Sequence, residues 1–211
     1  MPKPDKSNPF LFNNDDVEII NRDTLFQGFF KIDQVEFKHK LFAGGWSKTV
    51  TREVFERGNA VAVLLFDFER DEIVLLEQIR IGCMLNSDKP WMMELVGGMI
   101  EPGEEIEEVA HRETQEEAGL TIQSLMPMTH YLSSAGGTTE RIYLYLANVD
   151  ATQAGEICGL EYEDEDIRVH RVSRAQAVAW LEDGTIENAA TYIALQWLEL
   201  HMQDVIKAWK K

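Results

Sequence analysis

Two periods of hydrophobic spacing run along this chain, and the change between them outlines its elements. Phe29, Ile32, Val35 and Phe37 recur at short intervals through residues 25–43, the rhythm of strands, and a second strand pattern spans residues 47–57. Asn59 marks entry to a more apolar region. Residues 61–68 and 72–79 are close to continuous apolar runs, as expected of strands buried on both faces, with a turn at 69–71. Further strands are expected over 91–96, near 122–132, near 140–149 and over 167–173. The helical period appears over 104–118, over 174–182 behind Ser173 as N-cap, and from Asn188 to about Lys207, where Ile193, Leu195, Trp197, Leu198 and Leu200 form the apolar positions. Strands and helices interleave without a regular βαβ rhythm, and no internal repeat is found. The expected fold is therefore α/β with a mixed central sheet, an α/β/α sandwich over residues 58–211, preceded by a β-rich segment over 1–57. The first twenty or so residues are polar and rich in Asn, Asp and Pro, and are expected to be loosely held.

Composition narrows the partners. The chain has 211 residues, 45% of them hydrophobic, enough for one globular domain plus an appendage. A net charge of −17 disfavours nucleic-acid backbones and anionic membranes. Cys83 and Cys158 have neither CxxC nor Cys/His spacing, so reduced structural thiols are expected rather than a disulfide or zinc site. No apolar run reaches membrane length, and the N-terminal residues lack a signal-peptide core, which together point to a cytoplasmic protein.

Charge patterning carries the chemistry. Wound at about 100° per residue, residues 104–118 place Ile106, Val109, Ala110, Glu113, Glu116 and Glu117 on one arc roughly 120° wide. Glu108, His111 and Gln115 occupy the opposite face. The three glutamates thus continue the buried stripe, and carboxylates at i, i+3 and i+4 repel unless protons or cations intervene. Hard oxygen donors without nearby Cys or His favour Mg²⁺ or Mn²⁺, ions that commonly bind substrate phosphates. The alternative is a solvated acidic face paired with Arg112, and the arc argues against it. Arg57 and Arg80 each end a strand and can fork a phosphate through paired N–H donors. The run from Glu161 to Asp166 is acidic, either a solvated loop or the source of a base that activates water. None of the histidines has HxxxH spacing.

The spacing of Gly98, Glu104, Arg112-Glu113, Glu116-Glu117 and Gly119-Leu120 resembles the Nudix box. Thr114 departs from it, standing where the family has an aliphatic residue or alanine. Outside the box, residues 55–65, 75–80, 135–141 and 163–170 resemble the ADP-ribose pyrophosphatase branch of the Nudix hydrolases. One departure bears on substrate: Ala135 occupies the position of a proline in ADP-ribose-specific members.

The resemblance implies hydrolysis of the diphosphate of ADP-ribose to AMP and ribose 5-phosphate, with Mg²⁺ (or Mn²⁺) held by Glu113, Glu117, the Gly97 carbonyl and Glu165. It makes Glu163 the base that activates water, with Glu161 and Asp164 as geometric alternates. Glu116 completes or supports the cluster, and Arg112 orients the ligating carboxylates. Substrate contacts carried over by position are Phe29, Phe30, Arg52, Glu53, Arg57, Arg80, Met99, Ser134, Ala135, Gly136 and Glu140. Phe29 and Phe30 fit sheet core equally well, Arg52 a surface ion pair, and residues 134–136 a Gly-Gly turn. The resemblance also implies a homodimer in which the 1–57 segment is exchanged between subunits. The alternatives are a pyrophosphatase for another nucleotide sugar such as GDP-mannose, which Ala135 favours, and a non-catalytic nucleotide-sugar sensor, which would be expected to lose box carboxylates that this chain retains.

Overall fold

The computed structural model describes residues 9–210. Its contacts separate into two compact units: residues up to Arg57 together with Ser134–Glu140, and the two segments 58–133 and 141–210.

The larger unit is built on an eight-stranded sheet. Numbered in chain order over the whole protein, its strands are β4 (Asn59–Asp67), β5 (Glu72–Ile79), β6 (Trp91–Glu94), β7 (Val96–Ile100), β8 (Ser124–Leu132), β9 (Arg141–Asn148), β10 (Ile157–Cys158) and β11 (Ile167–Ser173). The path runs β10-β11-β5-β4-β9-β8, and only β4 and β9 are parallel. The β4–β5 hairpin pairs only from Leu65 to Asp67 against Glu72 to Val74. Beyond that the strands diverge, β6 pairing with β5 and β7 with β4. This divergence splits the single strand expected over 91–96 into two strands with different partners. It also makes Gly97, Gly98 and Met99 strand residues rather than the loop that their glycines suggest.

Alternation along β4 sends side chains to both faces. Ala62, Leu64 and Phe66 join one apolar cluster with helices α3 (Arg174–Glu182) and α4 (Ala189–Trp209), whereas Val61, Val63 and Leu65 join another with α2 (Ile106–Ala118). The result is helix, sheet, helix, as the uninterrupted apolar runs require. Ser173 and Asn188 cap α3 and α4 by accepting from the N–H groups of Gln176 and Thr191. A four-residue helix, α1 (Ile81–Met84), was not anticipated, being too short to establish a period.

The smaller unit is a three-stranded antiparallel sheet of β1 (Val17–Gln27), β2 (Lys31–His39) and β3 (Val50–Glu56). Strand structure starts at Val17, inside the stretch expected to be loosely held; residues 1–8 of that stretch lie outside the described residues. The strand escaped detection because register shifts at Ile19/Asn21 and Thr24/Phe26 break the period of two, and every residue of β1 is exposed. Residues 134–140 join this unit through the Phe55 N–H, which donates to Gly137 O, and through the Thr139 hydroxyl, which donates to Glu56.

Asp33 is the buried charge of the small sheet. Hydrogen bonds from Lys31, Thr24 and Arg22 hold its carboxylate at about 2, against the upward push of burial. With an unfolded value of about 3.9, its contribution to stability is complete above that pH and lost as the pH falls through about 2. Melting temperatures measured between pH 5 and 2 should therefore fall more steeply for the wild type than for Asp33→Asn. Parallel profiles would remove Asp33 from the account.

Candidate active site

Helix α2 delivers the acids because its sequence fixes both of its ends. Gly103, at φ +95, permits the turn before it, where the Glu101 N–H donates to Glu104 Oε2 at 2.8 Å. Gly119 ends it in the left-handed region at φ 67, its N–H returning to the carbonyls of Gln115 and Thr114. Between them Val109, Ala110, Thr114, Glu117 and Ala118 are buried, whereas Glu108, His111 and Gln115 face solvent, as the arc requires. Thr114, the departure from the box, donates its hydroxyl to the Ala110 carbonyl at 2.7 Å, so its buried oxygen is satisfied.

The three glutamates are not equivalent. Glu117 is 3% exposed, and its Oε2 accepts the Gly97 N–H at 2.8 Å. Burial, reinforced by repulsion from Glu113 and Glu165, pushes its carboxyl up to about 8, while the Gly97 N–H and Arg80 act in the opposite direction. Glu113 is also raised, chiefly by burial, with Arg112 opposing and Glu116 and Glu165 adding to the rise. Glu116 is half-buried, and its Oε2 lies 3.1 Å from Arg112 Nη1. That guanidinium also reaches Glu113 at 2.9 Å and Glu104 at 3.6 Å. Arg112 thus holds three box carboxylates together.

Two glycines admit this packing. A Cβ on Gly97 would lie 2.8 Å from the Val61 carbonyl of β4, and one on Gly98 would overlap the Glu113 carboxylate. Because the Gly97 N–H points to Glu117, away from the β4 partner, its carbonyl lies on the same free edge of β7. Gly98→Ala is expected to displace the Glu113 carboxylate rather than backbone, lowering kcat/KM about 10- to 100-fold. Melting should change little, and retention of full activity would contradict the need for this approach.

The acidic segment is tied to the same helix. The Gly159 N–H donates to Glu116 O at 3.2 Å, and Glu165 Oε2 accepts the Leu160 N–H at 3.2 Å. Glu165 is half-buried, and its charge is felt by both Glu113 and Glu117. Glu163 lies in a 3-10 turn, exposed, and its carboxylate makes no hydrogen bond or ion pair with any described residue. Glu113, Glu117 and Glu165 thus feel one another's charge, whereas Glu163 is exposed to solvent.

Among the described residues, no three His, Cys, Asp or Glu side chains are assembled to hold a metal ion. The donors nonetheless suit a hard divalent cation. They are carboxylates whose burial and mutual repulsion a positive charge would relieve, and each is held by one internal donor: Arg112 for Glu113, Gly97 N–H for Glu117 and Leu160 N–H for Glu165. Arg80 faces this group from the end of β5, with its Nε donating to Glu94 at 2.7 Å. Met99 is partly exposed on β7.

In the smaller unit, the Arg57 guanidinium lies 5.5 Å from the Phe30 ring centroid, and its Nε is 3.0 Å from Glu140. Phe30 packs edge-on against Phe29 and Phe55. Phe29 is 85% exposed, so it is not sheet core. Arg52 and Glu53 are exposed on β3, and among the described residues the Arg52 side chain donates to the neighbouring Thr51 carbonyl and forms no ion pair. Ser134, Ala135 and Gly136 form a turn in which Ser134 O accepts from the N–H groups of Gly137 and Thr138.

A NUDIX domain model matches residues 56–195. The chain is 53% identical over 209 residues to the ADP-ribose pyrophosphatase of Escherichia coli (strain K12), covering 99% of this chain and 100% of the relative. It is 34% identical over 151 residues to the GDP-mannose pyrophosphatase of Cronobacter sakazakii, covering 71% and 78% of the two chains. A crystal structure described as an ADP compounds hydrolase superposes with a TM-score of 0.67 at 20% identity, covering 91% of this chain and 95% of that one, and so shares the fold.

Proposed function

The chain belongs to the Nudix family, and from that premise we propose that it hydrolyses ADP-ribose to AMP and ribose 5-phosphate, as its E. coli relative's name indicates for that protein. The observation that carries the reading is the mutually repelling set of buried Glu117 and half-buried Glu113 and Glu165, which suits a divalent cation on a diphosphate. We take that cation to be Mg²⁺, held by Glu113, Glu117, Glu165 and the Gly97 carbonyl. When bound, it neutralises the diphosphate and polarises the phosphorus under attack. Glu116 and Arg112 keep the ligating carboxylates in register. Arg80 supplies N–H donors to the phosphate oxygens as charge develops on the leaving phosphate. Glu163, brought in by its loop, takes the proton of the attacking water. In this reading Met99 lies against the nucleotide, and Phe29, Phe30, Arg52, Glu53, Arg57, Ser134, Ala135, Gly136 and Glu140 supply the remaining substrate contacts.

The same reading makes the protein a cytoplasmic homodimer built through the 1–57 segment. Its support is β1, which exposes Val17, Ile19, Ile20, Leu25 and Phe26. No helix among the described residues is long and apolar enough to cross a membrane.

A matched panel of ADP-ribose, GDP-mannose, diadenosine polyphosphates and NADH, with products resolved by chromatography and mass, tests the substrate. The highest kcat/KM should belong to ADP-ribose. Preference for GDP-mannose would overturn that assignment and implicate Ala135.

A further inference from the structure

We infer that Glu94 is the positioning residue that aims Arg80 at the substrate's diphosphate, an inference that rests on the reading of Arg80 as a substrate contact. Glu94 is an acid in an otherwise apolar strand, 6% exposed, and both of its oxygens are engaged. Oε2 accepts from Arg80 Nε at 2.7 Å, and Oε1 accepts from Asn188 Nδ2 at 2.7 Å. Asn188 is itself immobilised, because its Oδ1 accepts the Thr191 N–H at 3.1 Å as the N-cap of α4. A chain of hydrogen bonds therefore runs from the start of a 21-residue helix, through Glu94, to Arg80.

The consequence for Arg80 is orientation. Its side chain is 49% exposed, and among the described residues no ion pair or side-chain hydrogen bond engages its terminal Nη atoms. A guanidinium is planar, so gripping Nε fixes the plane and leaves the outer donors aligned for two phosphate oxygens. Without Glu94 the same arginine would sample many rotamers, and that freedom would have to be lost on binding.

Steady-state kinetics on ADP-ribose with Mg²⁺ test this in Glu94→Gln, Arg80→Ala, the double variant and Asn188→Ser, which keeps a helix-capping side chain but removes the donor to Glu94. Glu94→Gln should raise KM on the order of tenfold, with a smaller change in kcat, and Asn188→Ser should raise it less. In the Arg80→Ala background, Glu94→Gln should have no further kinetic effect. The inference is overturned if Glu94→Gln has wild-type kinetics, or if it lowers kcat/KM by the same factor with and without Arg80, the mark of a structural role. Should Glu94→Gln fail to fold, Asn188→Ser carries the test, and a wild-type KM there overturns the inference. Wild-type KM in Arg80→Ala would instead remove the substrate contact, and the inference with it, while leaving ADP-ribose hydrolysis standing.

Discussion

Glu117→Gln is expected to abolish ADP-ribose turnover, by on the order of 10³-fold or more in kcat, while leaving the fold intact. Glu117 lies at the buried end of the carboxylate set, where burial, reinforced by the charges of Glu113 and Glu165, already pushes it up to about 8. Glutamine reproduces the shape and accepts the same Gly97 N–H, but it carries no charge for a cation. The sign of the stability effect distinguishes this from general damage. A carboxyl raised in the folded protein makes the cation-free wild type lose stability as pH rises from the unfolded value of about 4.3 towards about 8. Cation-free Glu117→Gln lacks that loss, so at pH 8 to 9 it should melt at or above the wild type. Added Mg²⁺ should then raise the melting temperature of the wild type only. A variant that retains turnover, or one that melts far below the wild type at high pH, would contradict the assignment.

Glu163→Gln should lower kcat by about 10²- to 10⁴-fold, the range of a lost general base, with cation binding unchanged. The separation follows from environment: Glu163 is exposed in a 3-10 turn, whereas Glu117 is buried and Glu113 and Glu165 are half-buried. Mn²⁺ titration followed by electron paramagnetic resonance should therefore give the same occupancy for variant and wild type. The kinetic loss should appear in kcat, and its absence would transfer the role to Glu161 or Asp164. Loss of Mn²⁺ would make Glu163 a ligand instead.

How much of this was legible in the sequence depended on whether the determining contact was local. Ser173, Asn188 and Gly119 set helix ends through bonds reaching only a few residues, and each end fell where its capping residue stood. The burial of Glu117 followed from the arc shared with Val109 and Ala110. Glu116 shares that arc and is half-buried, its carboxylate paired with Arg112 four residues earlier, a partner that angular position alone does not reveal. Contacts distant in sequence were hidden. Gly97 and Gly98 look like loop glycines, but each is required by an approach from another element, Val61 of β4 and Glu113 of α2. Arg57 pairs with Glu140 and Glu94 with Asn188 across well over a third of the chain, the second pair 94 residues apart. Strand β1 was missed because its register shifts and full exposure erase the alternation that reveals a half-buried strand.

The most direct test of the account is a titration of Mg²⁺ into EDTA-treated protein with ADP-ribose, following AMP and ribose 5-phosphate by chromatography. Both products should appear in equal amounts, rising from no turnover to saturation as the cation is added. Equal rates with and without EDTA, or no AMP at any Mg²⁺ concentration, would contradict it.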